Sequence, residues 1–232
     1  MLVERHGLIY KVNSNIPYTG SSVVPYDNGQ FKVRENYKDG KLDGVSEWFF
    51  KNGQLKVRKT FKDGKQEGLW EWFYSNGQLG ERGNYKDGKA DGFFIHFNED
   101  GTILFTNTYK KSKFDGLVKS FYKNGQLEKR DNYKNGEPDG LWEYFDENGL
   151  LLHRENYKDG KADGPHEYYE NGLLQHRENY KNGGRDGLWE YFDENGNLKK
   201  TKTYKDDILQ SSFWGMFKSW LRKKIATNRK QS

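Results

Sequence analysis

Residues 133–156 read YKNGEPDGLWEYFDENGLLLHREN, and this stretch contains the pattern that decides the fold. Two turn dipeptides, Asn135-Gly136 and Asn148-Gly149, bracket a run rich in Trp, Tyr and Phe. Asn-Gly accepts the positive φ that tight hairpin turns require. Aromatic residues alternating with charged ones are typical of strands. The stretch therefore predicts two antiparallel strands joined by a short turn.

The same pattern recurs along the chain as a tandem repeat. A Tyr/Phe-Lys pair returns every 24 residues, except for one step of 23 between Tyr157 and Tyr180. The pairs begin at Tyr37, Phe61, Tyr85, Tyr109, Tyr133, Tyr157, Tyr180 and Tyr204. Tandem two-stranded units predict an all-β chain, an elongated single-layer antiparallel β-meander in which sequence neighbours pair in space. We expect the array to span 27–206, after an N-terminal cap and degenerate first repeat over 1–26.

The composition agrees with a thin sheet and excludes several classes of protein. Of the 232 residues, 33% are hydrophobic and 16% aromatic, and none is cysteine. The mean hydropathy of −1.15 leaves little aliphatic material for a deep core. No run of about twenty apolar residues is present to span a membrane. The aromatic content also argues against a disordered chain.

The repeat copies act as an internal alignment that separates fixed from variable positions. The column of Phe73 is always aromatic, and the column of Leu79 is always apolar, which is expected of a stacking core. If Asn76-Gly77 closes a two-residue loop, Glu71 lies opposite Arg82. The same register pairs Glu47 with Arg58, Glu143 with Arg154, and Ile95 with Thr106, whereas facing Lys119 and Arg130 argue against it.

Two further columns carry large aromatic residues at positions that the repeat does not fix. Because they are two residues apart, they share a sheet surface distinct from that of the Phe73 column. Trp and Tyr are the usual anchors of protein interfaces. The alternative is that these rings only thicken a thin core. The predicted partner-binding residues are Trp48, Trp70, Trp72, Trp142, Tyr144, Tyr168, Trp189 and Tyr191.

The repeat unit, YK(D/N)GK-x-DG-x-W-x-(Y/F)(F/Y)-x-NGQL, resembles the bacterial variant of the MORN repeat. The similarity runs from about residue 5 to about residue 206, and the order of motifs resembles the YwqK-family antitoxins. The resemblance implies a MORN-like β-hairpin solenoid and a toxin-neutralising or immunity role. Two stretches depart from the pattern: Lys110 to Phe114 lacks the Asp-Gly turn, and Gly164-Pro165-His166 replaces Gly-Leu-Trp in the unit that is one residue shorter.

The composition of the last residues differs from that of the repeats. Residues 211–232 contain six basic and no acidic side chains, which leaves a net charge of about −1 on the remainder of a chain whose formal charge is +5. The spacing of their apolar residues predicts a basic amphipathic helix within a tail over 207–232. Such a helix would cap the edge of the last strand or bind an anionic membrane or a partner groove. Its predicted contact residues are Phe213, Trp214, Phe217, Lys218, Trp220, Leu221, Arg222 and Lys223.

Chemistry-bearing motifs are scarce. His153 and His176 occupy the same repeat position, which indicates copies in a column rather than a designed catalytic or metal site. No phosphate-binding Gly-rich loop occurs, and a turn role explains each Asp in the Asp-Gly pairs. We therefore expect no enzyme, no cofactor, no metal, no small-molecule substrate and no nucleic-acid partner. The polar N-terminus predicts a cytoplasmic protein, or a periplasmic or surface one if an export signal has been removed.

The main functional hypothesis is an array that sequesters a protein along one aromatic sheet face; the resemblance implies that this protein is a toxin. The alternative is a membrane-associated MORN-type scaffold whose basic tail binds anionic lipid. A hydrolytic enzyme remains a third and weaker hypothesis.

Overall fold

In the computed structural model the described part of the chain is all-β and antiparallel, as the repeat pattern predicts. The structure describes the backbone of residues 1–214 and the side chains of residues 1–211. Two compact units are present, Met1–Gly125 and Gln126–Ser232. Within each unit, strands that follow one another in sequence also pair in space.

The first unit begins with a separate hairpin, β1 (Leu2–Arg5) and β2 (Leu8–Lys11). The strands of its sheet are β3 (Gly20–Pro25), β4 (Phe31–Lys38), β5 (Lys41–Leu42), β6 (Gly44–Phe49), β7 (Leu55–Lys62), β8 (Lys65–Phe73), β9 (Leu79–Lys86), β10 (Lys89–Ala90), β11 (Gly92–Phe97), β12 (Ile103–Lys110), β13 (Lys113–Phe114) and β14 (Gly116–Phe121).

The second unit repeats the same order of long and short strands. Its strands are β15 (Leu127–Lys134), β16 (Glu137–Pro138), β17 (Gly140–Phe145), β18 (Leu151–Lys158), β19 (Lys161–Ala162), β20 (Gly164–Glu170), β21 (Leu173–Lys181), β22 (Gly184–Arg185), β23 (Gly187–Phe192), β24 (Leu198–Lys205) and β25 (Ile208–Trp214).

The turns that follow each Tyr/Phe-Lys pair have the predicted geometry. Asp63 and Gly64, for example, have φ values of 49° and 82°, as a type I′ hairpin turn requires. The divergent Lys110–Phe114 stretch forms the same turn without glycine, with Lys111 at 52° and Ser112 at 63°. The backbone conformation is therefore retained where the sequence signal is lost.

In the 24-residue units, the turns at the other end differ from the expected two-residue loop, whereas Asn171-Gly172 of the 23-residue unit forms one. Tyr74 N donates to Gln78 O at 2.8 Å and Gly77 N donates to Tyr74 O at 3.0 Å, which closes a three-residue loop over 75–77. Only the glycine has positive φ, as in a type I turn followed by a G1 bulge. A register shift then follows between Trp72 and Phe73.

These two departures cancel, so the predicted pairings are confirmed. Glu71 pairs with Arg82, Glu47 with Arg58, and Glu143 with Arg154. Ile95 pairs with Thr106, again as predicted. The extra loop residue moves the register by one position, and the bulge moves it back.

The predicted C-terminal helix is not supported. Ile208–Trp214 form β25, which pairs with β24, so Phe213 and Trp214 belong to a strand. The reason is that Tyr204-Lys205-Asp206-Asp207 occupies the repeat's turn position, with Asp206 and Asp207 at φ values of 47° and 66°. The hairpin pattern therefore continues past the expected end of the array. The other predicted contacts of the tail, Phe217, Lys218, Trp220, Leu221, Arg222 and Lys223, lie outside the described residues.

Each sheet has two distinct surfaces because successive side chains in a strand alternate. One surface, which we call the ion-ladder face, carries the paired Glu and Arg residues. Arg58 donates to Glu47 at 3.1 Å and to Glu71 at 3.0 Å, and Arg82 donates to Glu71 at 2.7 Å. In the second unit, Glu167 binds Arg154 and also Arg177, the latter at 2.7 Å. These ladders join consecutive hairpins.

The opposite surface, which we call the aromatic face, holds most of the packed apolar side chains. Phe94 is 2% exposed and Trp189 is 8% exposed, and both lie on this face. Tyr204, from the fixed Tyr/Phe column, is also buried there. The thin core therefore lies on the side of the sheet that carries the variable columns.

Candidate partner-binding face

In the second unit the aromatic face carries two rows of rings. In the first ring row, fixed tyrosines alternate with Trp or His from the variable column. Neighbouring centroids are between 4.7 and 5.6 Å apart. The row consists of Tyr133, Trp142, Tyr157, His166, Tyr180, Trp189 and Tyr204. This regular contact between hairpins stabilises the sheet.

The second ring row alternates tyrosine with histidine. Tyr144 stacks on His153 at 3.9 Å, and Tyr168 stacks on His176 at 4.2 Å. Tyr191 completes the row, 6.0 Å from His176. The interplanar angles lie between 14° and 21°, so the rings are nearly parallel. All five side chains are only half-buried, which leaves ring edges accessible.

A row of carboxylates lies between the two ring rows. Glu155 accepts a hydrogen bond from the Tyr157 hydroxyl at 2.8 Å, and Glu178 accepts one from Tyr180 at 2.8 Å. Burial, followed by these hydrogen bonds, raises the pKa of Tyr157 and Tyr180 above the usual value. Both tyrosine hydroxyls therefore donate to a carboxylate of this row.

The third carboxylate of this row, Asp131, is only 3% exposed. Its Oδ2 lies 2.7 Å from Lys129 Nζ, whereas its Oδ1 has no hydrogen-bond partner. Burial raises the pKa of Asp131; the Lys129 ammonium opposes this rise and the Glu155 carboxylate adds to it. The row is therefore locally rich in acceptors.

His153 and His176 each lie near a carboxylate of this row. Burial lowers the pKa of His153, and the nearby Glu155 carboxylate only partly opposes that effect. His153 Nε2 lies 3.9 Å from Glu155 Oε1, and His176 Nε2 lies 3.8 Å from Glu178 Oε1. These separations are too long for hydrogen bonds.

The aromatic face of the first unit also carries rings that pack against one another. Trp70, Tyr85, Phe94, Tyr109 and Phe114 follow one another at centroid distances of 4.9 to 6.3 Å. His96 stacks on Phe105 at 3.7 Å, and Trp72 packs edge-on against Tyr74 at 4.6 Å.

The charged side chains near Trp48 are lysines, in contrast to the carboxylate row of the second unit. Lys59 Nζ lies 5.5 Å from the ring centroid of Trp48. A shallow depression there is also lined by Lys32 and Lys56. Lysine side chains thus surround the Trp48 ring.

The register places all eight predicted binding residues on the aromatic face of their own unit, but in two different settings. Trp70, Trp142 and Trp189 pack against the fixed tyrosines. The Nε1 atoms of Trp142 and Trp189 donate to the carbonyls of Asn132 and Asn179 at 3.0 and 3.1 Å. These side chains help to form the core.

The other predicted residues, Trp48, Trp72, Tyr144, Tyr168 and Tyr191, lie in the second column and are half-buried. The sequence interpretation missed Glu155 and Glu178, which the structure places between the two ring rows. The available signal was the Glu-Asn-Tyr-Lys segment, which begins at Glu35, Glu155 and Glu178 and precedes a turn each time. Within it, Glu and Tyr point to one face.

Within residues 1–214, no three His, Asp or Glu side chains are grouped so as to hold a metal ion. No helix of this described part is long and apolar enough to cross a membrane.

Among the solved structures that resemble this chain are two distant ones. A TarM variant from S. aureus, solved with fondaparinux, alpha-GlcNAc-glycerol and UDP, is 15% identical over 47% of this chain and 21% of that chain, with a TM-score of 0.30. A GtfA/B complex bound to UDP and GlcNAc is 11% identical over 55% of this chain and 22% of that chain, with a TM-score of 0.21. The match thus spans about a fifth of either protein. No curated protein matches this chain.

Comparison with protein families gives a clearer result. Five segments match the family described as "MORN repeat variant", namely residues 42–63, 66–87, 114–135, 138–159 and 185–206. Each segment ends at one of the turns that follow a Tyr/Phe-Lys pair. MORN repeats are generally protein- or lipid-binding scaffolds. Five of the repeat units in this chain are thus MORN repeat variants.

Proposed function

We propose that this chain is a non-catalytic scaffold that binds a protein partner along its aromatic face, and that the partner is a toxin which it neutralises. The observation that carries the proposal is the second ring row, a preformed series of half-buried Tyr and His rings bordered by carboxylates. Tyr offers a large amphipathic contact area and loses little conformational entropy on binding, because only two torsions must be fixed.

The two sheet faces differ in a way that supports this assignment. On the ion-ladder face, Glu and Arg are used to join neighbouring hairpins, so these charges are already satisfied within the chain. On the aromatic face, the rings of the second row and the carboxylate row retain free edges and acceptors. A preformed surface of this kind binds without a large ordering cost.

The test is capture of the partner by the full chain and by a triple variant, Tyr144→Ala, Tyr168→Ala and Tyr191→Ala. Truncation of three central rings is expected to weaken binding at least about tenfold. Leu188→Ala is the matched control, since Leu188 is 43% exposed and lies on the opposite face. Thermal unfolding reports whether each variant is folded. Equal affinity of a folded triple variant and the control would refute the proposal.

The toxin assignment rests on the resemblance and needs its own experiment. Where a gene adjacent to that of this chain encodes a product that stops growth when expressed alone, co-expression of the wild-type chain or of Leu188→Ala should restore growth, whereas the triple tyrosine variant should not. Growth that the neighbouring gene does not impair, or rescue that is independent of the three tyrosines, would contradict it.

Lipid binding is the second candidate, favoured by the six basic residues between 215 and 232. Truncation after Trp214 removes them and leaves β25 complete. Flotation with vesicles containing anionic lipid at low salt should then be lost. Absence of flotation by the full chain would remove this candidate.

A further inference from the structure

Lys129 shows how the aromatic face holds an ammonium group. Its Nζ lies 2.7 Å from Asp131 Oδ2, 4.5 Å from the ring centroid of Trp142 and 4.9 Å from that of Tyr144. The register places Lys129 opposite Tyr144 and the next residue, Arg130, opposite Glu143. One carboxylate and two rings thus surround a single cation. The carboxylate charge and the ring quadrupoles both attract the ammonium group.

The next two hairpin pairs repeat this site without the lysine. The position of Lys129 is taken by His153 and then by His176, each opposite a tyrosine of the second ring row. The position of Asp131 is taken by Glu155 and then by Glu178. The two ring positions are held by His166 and Tyr168 in one site and by Trp189 and Tyr191 in the other.

These two sites have the acceptors of the Lys129 site but no ammonium paired with their carboxylates. In the Glu178 site, the Nζ atoms of Lys200 and Lys202 each lie 5.8 Å from the ring centroid of Tyr191. Among residues 1–211, no lysine or arginine nitrogen lies within 4.0 Å of a Glu155 or Glu178 carboxylate oxygen. Each carboxylate accepts one tyrosine hydroxyl, and its side chain is only about one-sixth exposed, at 16% and 15%. A buried carboxylate without a cation is costly, so a cation supplied from outside is favoured.

Asp131 provides independent support. Even with Lys129 in place, its buried Oδ1 has no hydrogen-bond partner. This acceptor of the row therefore lacks a donor in the described chain, and Glu155 and Glu178 are the next carboxylates of the same row.

From this juxtaposition we infer that Glu155 and Glu178, with their flanking rings, bind two basic side chains of a partner segment. The inference rests on the proposed function and specifies the chemistry of the partner. Glu155 in β18 and Glu178 in β21 are separated by two strand steps across β20, or about 9.6 Å. A polyproline II segment presents every third residue on the same side, about 9.3 Å apart. The partner segment is therefore extended, crosses the strands and carries Lys or Arg at every third position.

Short peptides and the full chain test this spacing. The first peptide has two lysines separated by two prolines, and its isomer has the same residues with the lysines adjacent. Fluorescence anisotropy at low salt should show the first peptide binding at least about fivefold more tightly, and added salt should weaken that binding. The double variant Glu155→Gln and Glu178→Gln should lose about tenfold or more in affinity. Glu194→Gln, an exposed loop carboxylate, is the matched control and should bind as the wild type does.

A second variant fills the sites from within. His153→Lys with His176→Lys recreates the Lys129 arrangement in both hairpin pairs, so the peptide should no longer bind while circular dichroism remains unchanged. Equal binding of the two peptide isomers, or unchanged binding by either double variant, would overturn the inference. If the peptide fails to bind while the natural partner still depends on Tyr144, Tyr168 and Tyr191, only the inference falls. If the peptide binds but partner capture ignores those tyrosines, the proposed function falls and the cation sites stand.

Discussion

At the scale of single residues, Gly83 makes room for the most buried ring of the first unit. A Cβ built on Gly83 would lie 2.1 Å from the Phe94 ring, which is 2% exposed. Gly83→Ala should therefore force the ring or the strand to move, at a cost of about 1–3 kcal/mol in the free energy of unfolding.

Denaturant titration measures this change, with Asn84→Ala as the control because Asn84 is the exposed next residue of the same strand. Equal stability of Gly83→Ala and the wild type would show that Phe94 does not pack as described. The repeat alone does not reveal this role, because the column of Gly83 also contains Lys59, Asn107 and Glu155. Only the paired strand shows which side chain covers the glycine.

At the scale of strands and turns, the ion ladder makes stability depend on pH. Burial opposes ionisation of Glu47, but hydrogen bonds from Arg34 and Arg58 outweigh it and hold the pKa of Glu47 below its usual value. Burial likewise opposes ionisation of Glu167, and hydrogen bonds from Arg154 and Arg177 lower its pKa. A pKa that is lower in the folded state means that the unfolded chain binds more protons as pH falls.

The ladder's contribution should thus be complete above about pH 4.5, the ordinary pKa of Glu, and be lost as pH falls through the lower folded pKa. Glu47→Gln with Glu167→Gln should lower the free energy of unfolding at pH 7 by roughly 1–3 kcal/mol for each site. The double variant should also lose less stability than the wild type as the pH falls, which gives a flatter acid limb of the stability curve. Chemical unfolding from pH 3 to 7 measures both effects. An acid limb as steep as that of the wild type would contradict the role of the ladder.

The loops show why a correct register was predicted from an incorrect turn. Asn-Gly indicates a tight turn but not its length. Both residues take positive φ in a two-residue loop, whereas only the glycine does in the three-residue loop. Asn171 has a φ of 52° and closes a two-residue loop in the 23-residue unit, whereas the corresponding loop over 75–77 has one residue more. The bulge lies beside both kinds of loop, between Trp72 and Phe73 and between Tyr168 and Tyr169, and the sequence contains no separate signal for it.

Deletion of Ser75 should convert its loop into the shorter form. The change recreates the Asn171-Gly172 arrangement, so we expect a folded chain that loses less than about 1 kcal/mol of stability, with the Glu71–Arg82 pairing retained. Amide hydrogen exchange of β8 and β9 measures the pairing. Loss of protection in both strands would show that the three-residue loop is required.

At the scale of the whole molecule, the sequence predicts the all-β repeat architecture and the surface that carries the variable aromatic residues. It does not separate rings that form the core, such as Trp189, from rings with accessible edges, such as Tyr168, because both types recur with the same period. The predicted helix is not supported in the stretch up to Trp214, for a related reason. Apolar residues near 213 fit a helical spacing, but the Asp206-Asp207 turn extends the hairpin pattern into that stretch.

The central claim is that the aromatic face, and not the ion-ladder face, meets the partner. Hydroxyl-radical footprinting of the full chain, free and in complex, tests it most directly, because side-chain labelling reports the solvent access of each residue. We predict that Tyr144, Tyr168 and Tyr191 become protected in the complex while Leu188 is labelled as in the free chain. Protection of Leu188 with unchanged labelling of the three tyrosines would contradict the claim.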